Sequence, residues 1–465
     1  MLEHVTDQIG SRYTLGRCIG TGGQGSVYEL KEGKLAVKLL HRNGDPEILR
    51  RRIEQVKRYD FSGIPLARPK AILRPPLCGY IMELVSGAKG LQSMLRPDDP
   101  NSDPSRWYIA SGGLRGRLRV LGRLARVLSV LHGRSLAYGD LSPANVAISG
   151  DPLGEFTLHL LDCDNIRSES LPSAPAVYTP GYGAPELVAG TGTVNTLSDL
   201  YAFAVLAFEC LSTVHPFVGD SVDDGEPELE EKAFAGELPW IEDQGGTNRS
   251  SRGVPRDWLL TPRFRTLFAQ AFGAGKSSPA ERPRASTWAE SLEQAADMTL
   301  HCPHCRATYY LPKEAEICPW CGQSVPLRLT VHMLLWDPAH KRSGARTCFV
   351  TSPGTDKLRV LGGLMLTANV PHRVERRHLA LESIPGCIEY EPLASLCYDP
   401  RTKQCEVCNL TDEPLRISRH EPGKPEKILA KGDKVPVRLA VPGQPPCDLH
   451  FGPENQLHRA LRISA

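Results

Sequence analysis

The chain has 465 residues, 41% hydrophobic and 23% charged, with a net charge of +2. That length exceeds one core and points to two or three domains. The near-neutral balance excludes a strong nucleic-acid or membrane field, so nucleic acid is not an expected partner.

The start, MLEHVTDQIG, lacks the charged and apolar regions of a secretory leader. The apolar run LYAFAVLAFECL is too short to span a bilayer and carries Glu209. These features point to a cytoplasmic protein. Of fourteen cysteines, four are scattered before residue 300 and ten follow Met298. In a cytosolic chain such clustering points to metal before disulfide.

In chain order, residues 11–40 read as strand, glycine turn and strand. YTLGRCIG and SVYELK flank TGGQG, and KLAVKLL is a further short strand. Residues 46–58 carry Ile48, Leu49, Ile53 and Val56 at helical spacing, with Pro46 suited to the first turn. GYIMELV, 79–85, is a compact strand. Residues 114–132 make a long amphipathic helix whose arginines read as a solvated face. Helices follow near 197–212, 262–273 and 285–297. The acidic insertion GDSVDDGEPELEEKAFAGELPWIED reads as a solvated loop leading into a short helix. From 327 onward, short β-like runs alternate with turn residues, which predicts an all-β domain.

Four sets of residues carry chemistry. Gly20, Gly22 and Gly25 make G-x-G-x-x-G, with Val27 two residues on. Dinucleotide-binding folds share those glycines, but there the loop opens a helix, and here it runs into a strand. A hairpin with glycines at its tip lets backbone N–H groups approach phosphates. Lys38 sits inside the apolar strand LAVKLL and needs a charge partner. Phosphate oxygens would serve, and so would Glu54 on the buried side of the following helix. Glu47 is the rival, already explained by the helix dipole.

Asp140 and Asn145 are spaced D-x-x-x-x-N, and the apolar strand FTLHLLDCDN ends in Asp162 and Asp164. One acid to orient a hydroxyl, with an amide and an acid to hold Mg²⁺, is the minimum for phosphoryl transfer. Ala184-Pro185-Glu186, Asp199 and Arg282 follow. A buried glutamate needs a cation, and Arg282 is the natural partner for Glu186. Finally, Cys302, Cys305, Cys318 and Cys321 form C-x2-C-x12-C-x2-C, which suits a structural, four-sulfur zinc site. Cys405 and Cys408 repeat the C-x2-C spacing, but in a strand they point to opposite faces.

The ordered set over residues 11–298 resembles the eukaryotic-type (Hanks-like) Ser/Thr protein kinase family. The resemblance implies a multidomain chain: an α+β bilobal kinase fold with an N-lobe at 11–85 and a C-lobe at 86–298. A zinc ribbon at 299–326 and an all-β, sandwich-like interaction domain at 327–465 complete it.

The family pattern implies ATP and Mg²⁺ (or Mn²⁺) as cofactors beside Zn²⁺. Lys38 would hold the α/β-phosphates with Glu54 bracing it, and Asp140 would be the catalytic base. Asn145 and Asp162 would hold magnesium, with Asp164 the alternative to Asp162. Val27, Ala36 and the hinge Glu83–Val85 would frame the adenine behind Met82, and Thr179 resembles the Ser/Thr class.

Three positions depart from the pattern. Tyr138-Gly139 stand where His-Arg is usual, Ser142 replaces a lysine, and DCD replaces Asp-Phe-Gly. They keep an ATP-binding pseudokinase scaffold as the alternative to an active kinase. The kinase, GYGAPEL, the acidic segment and the ribbon together are also similar to bacterial kinases of tellurite- and stress-response triads. That likeness implies a von Willebrand A protein and a 2C-type phosphatase as partners, besides a protein substrate.

Overall fold

The computed structural model describes residues 2–23, 25–41, 45–170, 177–311, 316–340, 348–353, 355, 357–381, 390–419, 426–440 and 445–464. The chain divides into two compact units, one of residues 1–112 and 119–290 and one of 113–118 and 291–465.

The first unit opens with a six-stranded antiparallel sheet. Its strands are β1 (His4–Thr6), β2 (Arg12–Gly22), β3 (Gly25–Leu30), β4 (Leu35–Leu40), β5 (Ala71–Ile72) and β6 (Gly79–Glu83), in the order β1-β2-β3-β4-β6-β5. β1 precedes the predicted start at residue 11, because three residues give no readable alternation. The turn after it is tied by Asp7, whose carboxylate accepts from the N–H groups of Ile9 and Ser11 and from Tyr13 Oη.

One sheet face packs Val5, Leu30, Val37, Leu73 and Ile81 into a core. Helix α1 (Pro46–Arg58) sits between β4 and β5 in sequence. Asp45 caps it by accepting from Glu47 N, and Ile53 and Val56 are its buried residues.

The rest of this unit is mainly helical. A small sheet of β7 (Lys89–Gly90), β8 (Val146–Gly150) and β9 (Phe156–Leu160) lies in the order β9-β8-β7. The long helix is α2 (Gly113–Gly133). Its arginines do not form the expected solvated face. Arg117 is fully buried, Arg119 donates to Pro152 O and Gly154 O, and the Arg123 guanidinium lies 3.7 Å from the Phe156 ring centroid. For Arg119 and Arg123, carbonyls of the β8–β9 hairpin and an aromatic face take the place of water.

Helix α3 (Thr196–Ser212) is buried along nearly its whole length, as an all-round apolar helix must be. Phe208 on α3 meets Phe268, Phe272 and Trp240 edge-on. The acidic insertion folds as a short turn, Asp220–Asp223, and helix α4 (Pro227–Phe234), with Arg252 paired to Asp223 and to Asp224. Helices α5 (Pro262–Ala269) and α6 (Ala285–Asp297) complete the predicted set.

Among the described residues, the second unit contains the hairpin β10 (Thr299–His301) and β11 (Thr308–Tyr310) and ten further strands. These are β12 (Arg328–Trp336), β13 (Val360–Thr367), β14 (His372–Glu375), β15 (Pro392–Asp399), β16 (Gln404–Asn409), β17 (Leu415–Ser418), β18 (Lys427–Leu429), β19 (Lys434–Arg438), β20 (Cys447–His450) and β21 (His458–Ile463). They form a six-stranded sheet, β13-β12-β21-β20-β17-β18, and a four-stranded sheet, β14-β15-β16-β19. Val331, Leu364, Leu449 and Leu461 of the first share one buried cluster with Val374, Leu396, Val407 and Val437 of the second. Two sheets around one core is the sandwich solution.

Candidate active site

Strand register builds the first wall of the site. Val27 pairs with Lys38, Lys38 with Tyr80, and Ala36 with Met82. Directly opposed residues share a sheet face, and so do residues two apart. Val27, Ala36, Lys38, Tyr80 and Met82 therefore line the face opposite the core of Val37 and Ile81. Glu83 and Val85 follow at the strand end. The Glu83 side chain is exposed and pairs with Lys70 at 2.6 Å, which turns it away from this wall.

Above the wall, Gly20 opposes Val27 and Gly22 opposes Gly25. A Cβ on Gly25 would meet Leu39 O at 2.4 Å, whereas Gly20 and Gly22 have nothing within 4 Å. Gly25 is thus required by packing, and the other two keep backbone open to an approaching group.

Lys38 is almost fully buried, and the structure corrects its expected partner. Its Nζ lies 3.0 Å from Asp162 Oδ1 and 2.9 Å from Asp164 Oδ1. Burial pushes the ammonium pKa down, but the carboxylates of Asp164 and Asp162 outweigh it and the net direction is up. Glu54 is not beside it. The Glu54 carboxylate accepts from Gln8 Nε2 at 3.4 Å. The residue of α1 that reaches the site is Arg52, whose guanidinium donates to Asn165 Oδ1 at 2.5 Å. Residues 52 and 54 are about 200° apart around a helix, so both do not face one site. Glu47, the rival partner, is exposed.

The two aspartates differ. The Asp162 side chain is 30% exposed and that of Asp164 is 7%. Asp162 holds a left-handed backbone, φ +48, which aspartate tolerates better than most residues. Asp164 Oδ1 also accepts from the buried Tyr80 Oη at 2.9 Å.

The loop from Leu136 to Asn145 is fixed from beneath by α3. Asn195 and Ser198 form a capping box at its start. Asp199, in its first turn, accepts from Tyr138 N at 2.6 Å and from Gly139 N at 2.9 Å, with His132 Nε2 at 3.0 Å. Gly139 has φ +94, and a Cβ there would stand 2.7 Å from Asn165 O. That geometry accounts for glycine where the family pattern has arginine. Tyr138 fills the position of the usual histidine, with its ring buried and its hydroxyl donating to Leu161 O.

Beyond this support, Asp140 Oδ1 accepts from both the N–H and the Oγ1 of Thr179, each at 2.8 Å. Asn145 Nδ2 donates to Asp140 O at 2.8 Å. Ser142 is buried, and its hydroxyl lacks a hydrogen-bond partner among the described residues.

Thr179 and Ser142 open onto a groove of about 630 Å³, lined also by Arg96, Tyr182, His215 and Glu230. Tyr182 donates to Glu209 in its wall. Burial raises the Glu209 carboxyl above the usual range, against the opposing pull of Tyr182 and Arg96. Below, Arg282 holds both carboxylate oxygens of Glu186 at 2.7 Å.

The sequence reading missed Tyr80, Arg52, Asn165 and the Tyr182–Glu209 pair. Tyr80 was findable, because strand alternation puts it on the Met82 face. The others depend on loop paths that no periodicity encodes.

In the second unit, the Sγ atoms of Cys302, Cys305, Cys318 and Cys321 all lie within 4.8 Å of one another, with Cys302–Cys321 at 3.7 Å and Cys305–Cys318 at 3.8 Å. A tetrahedron with 2.3 Å metal–sulfur bonds has edges of about 3.8 Å, so the four sulfurs fit zinc. The two knuckles match. Arg306 N donates to Cys302 O and Gly322 N to Cys318 O, with φ +64 and +72 at the donors. Among the described residues no other cluster of this kind occurs. Cys405 and Cys408 are both in β16, three apart, on opposite faces.

The family model for the protein kinase domain matches residues 13–247. The chain belongs to that family, and its relatives are eukaryotic-type Ser/Thr protein kinases. It is 29% identical over 239 residues to the serine/threonine-protein kinase PknA of Mycobacterium tuberculosis, covering 47% of this chain and 51% of that protein. It is 30% identical over 227 residues to the serine/threonine-protein kinase pkn2 of Myxococcus xanthus, covering 45% and 25%. To a probable cell division protein kinase of Encephalitozoon cuniculi it is 25% identical over 263 residues, covering 55% and 88%. The chain thus spans about half the length of PknA. Among the described residues, no helix is long and apolar enough to cross a membrane.

Proposed function

We propose that the chain is an active Ser/Thr protein kinase that moves the γ-phosphate of ATP to a protein hydroxyl. The observation that carries this is the hydroxyl already held at Asp140. Thr179 Oγ1 sits 2.8 Å from the carboxylate, the distance at which a base takes an acceptor's proton.

ATP with Mg²⁺ or Mn²⁺ supplies the transferable phosphoryl group and the charge neutralisation around it. Gly20, Gly22 and Gly25 present backbone N–H groups to the phosphates, and Lys38 offsets their charge. Val27, Ala36, Met82 and the backbone of Glu83–Val85 frame the base. Asp162, the more exposed carboxylate, and Asn145, whose amide N–H₂ is committed to Asp140 O, hold the metal. Asp140 orients the acceptor hydroxyl and takes its proton. Ser142 adds no cation, so charge stabilisation rests on Lys38 and the metal.

The domain limits we assign are 11–85 and 86–298 for the two lobes, 299–326 for a zinc ribbon and 327–465 for an interaction sandwich. The four-sulfur site takes Zn²⁺ in a structural role. A cytoplasmic setting, and a von Willebrand A protein and a 2C-type phosphatase as partners, extend the reading through the likeness to stress-response kinases.

The test is transfer of labelled γ-phosphate by the full chain, with its Asp140→Ala and Lys38→Met variants, in the presence of the candidate partners. Incorporation that disappears in both variants supports a kinase. ATP binding with no incorporation overturns the catalytic reading in favour of a scaffold.

A further inference from the structure

The buried cation Lys38 must be held at one place to meet a phosphate, and the residue that holds it is open to identification. Two carboxylates touch it, and they are not equivalent. Asp162 is the more solvent-exposed of the two and so the better placed to face a metal. Asp164 lies behind, and its Oδ1 is shared between Lys38 Nζ and Tyr80 Oη, each at 2.9 Å. An oxygen accepting two hydrogen bonds, one of them charge-assisted, is a fixed anchor and a poor additional metal ligand. Tyr80 is itself fixed, fully buried in β6 directly opposite Lys38.

Helix α1 supplies the opposite charge. Arg52 projects toward the same loop and bonds Asn165, the neighbour of Asp164. Burial lowers the Arg52 pKa, and the charge of Asp164 acts the other way. A cation on the helix and an acid on the loop reverse the arrangement that the family resemblance implies, with its acid on the helix.

We propose that Asp164 is the positioning residue for Lys38, with Arg52 of α1 as the complementary cation, and that Glu54 has no part in holding the lysine. The brace then belongs to the loop after β9 and the strand β6. Lys38 keeps its place without any acid from α1. This inference rests on the kinase reading for its catalytic consequence but not for its binding consequence.

The experiment uses the full chain with ATP and Mg²⁺, measuring ATP affinity by calorimetry and KM and kcat by labelled phosphate transfer. Losing one charge-assisted hydrogen bond predicts that Asp164→Asn weakens ATP binding by about tenfold, while Glu54→Gln changes it by less than about twofold. The double variant Arg52→Glu with Asp164→Gly moves the acid onto the helix, and recovers ATP affinity to within about threefold of the native chain.

A purely structural role for Asp164 would not give that recovery. If Asp164→Asn alone fails to fold, the double variant still decides. Native affinity in Asp164→Asn, loss in Glu54→Gln, no recovery in the double variant, or an Asp164→Asn defect cured by raised Mg²⁺ would each overturn the proposal. If the native chain binds ATP but transfers no phosphate, the kinase reading fails, while the binding arm still tests Asp164.

Discussion

Arg282 grips Glu186 with two nitrogens, each 2.7 Å from its own carboxylate oxygen, across 96 residues of chain. The same guanidinium donates to Gly275 O and Leu197 O, so one side chain ties the turn after α5, the start of α3 and the short helix Pro185–Val188. Removing one partner of a buried pair is costly because the other keeps its charge. Arg282→Ala is therefore expected to destabilise the chain by about 3 kcal/mol, with Arg282→Lys close behind because one ammonium does not span both oxygens. Urea unfolding of the two variants measures this. A cost below the ordinary surface range would show that the pair contributes little.

Gly139 carries the second prediction. Its φ of +94 and the 2.7 Å approach of Asn165 O leave no room for a side chain. Gly139→Ala is expected to cost about 2 kcal/mol in strain. Gly139→Arg, which restores the usual family residue, costs more and lowers phosphate transfer, because the adjacent Asp140 shifts with the loop. Thermal melting read together with transfer kinetics tests both, and a gain of activity in Gly139→Arg would contradict this account.

How much of this was legible in the sequence differs by region. Helices α1, α3 and α6 and the ordered motif residues are visible because apolar periodicity and spacing are local properties. Lys38, a lysine inside an apolar strand, reads as a cation in need of a charge partner, and it lies against Asp162 and Asp164. Its partner was misassigned to Glu54, because burial of Ile53 says nothing about which neighbour turns toward a loop over a hundred residues away. The arginines of α2 misled for the same reason. A charged stripe reads as solvated until the β8–β9 hairpin covers it. In the second unit, β13 runs from Val360 to Thr367, and cross-strand pairing with β12, which no local pattern encodes, sets its start.

The cysteine cluster makes a prediction about metal removal. The hairpin β10–β11 buries Leu300 and Tyr309 against the cysteines and Met365, a small core for its own stability. About one zinc per chain is expected by elemental analysis, and Cys302→Ser or Cys318→Ser should reduce it below half. Strong chelation should lower the melting temperature of the full chain. ATP affinity should change less than about twofold, because the residues proposed to hold the nucleotide, Gly20, Lys38, Asp140 and Asp162 among them, belong to the other unit. Full zinc content in both serine variants would remove the four-sulfur assignment.

His215 gives the chain an acid-side sensitivity. Its Nε2 faces Gly181 O at 3.0 Å, and its Nδ1 accepts from Phe217 N at 3.3 Å, so the hydrogen bonds require the neutral ring with the proton on Nε2. Burial depresses its pKa to about 4, with the Gly181 carbonyl acting in the opposite direction. The unfolded chain takes up a proton near the ordinary histidine value of about 6.5, and the folded chain does not until about 4. Folding stability from this group is therefore whole above that upper value and declines as pH falls toward the lower one. Glu209, with a raised carboxyl pKa, contributes a trend of opposite sign, so the native chain's profile alone does not isolate the histidine. The informative quantity is the difference between native and His215→Asn, whose amide oxygen is able to accept from Phe217 N but does not titrate. Urea midpoints of the two should converge as pH falls from about 6.5 to 4, since only the native chain loses stability through this site. Parallel midpoints across that window would show that His215 takes up its proton alike in the folded and the unfolded chain.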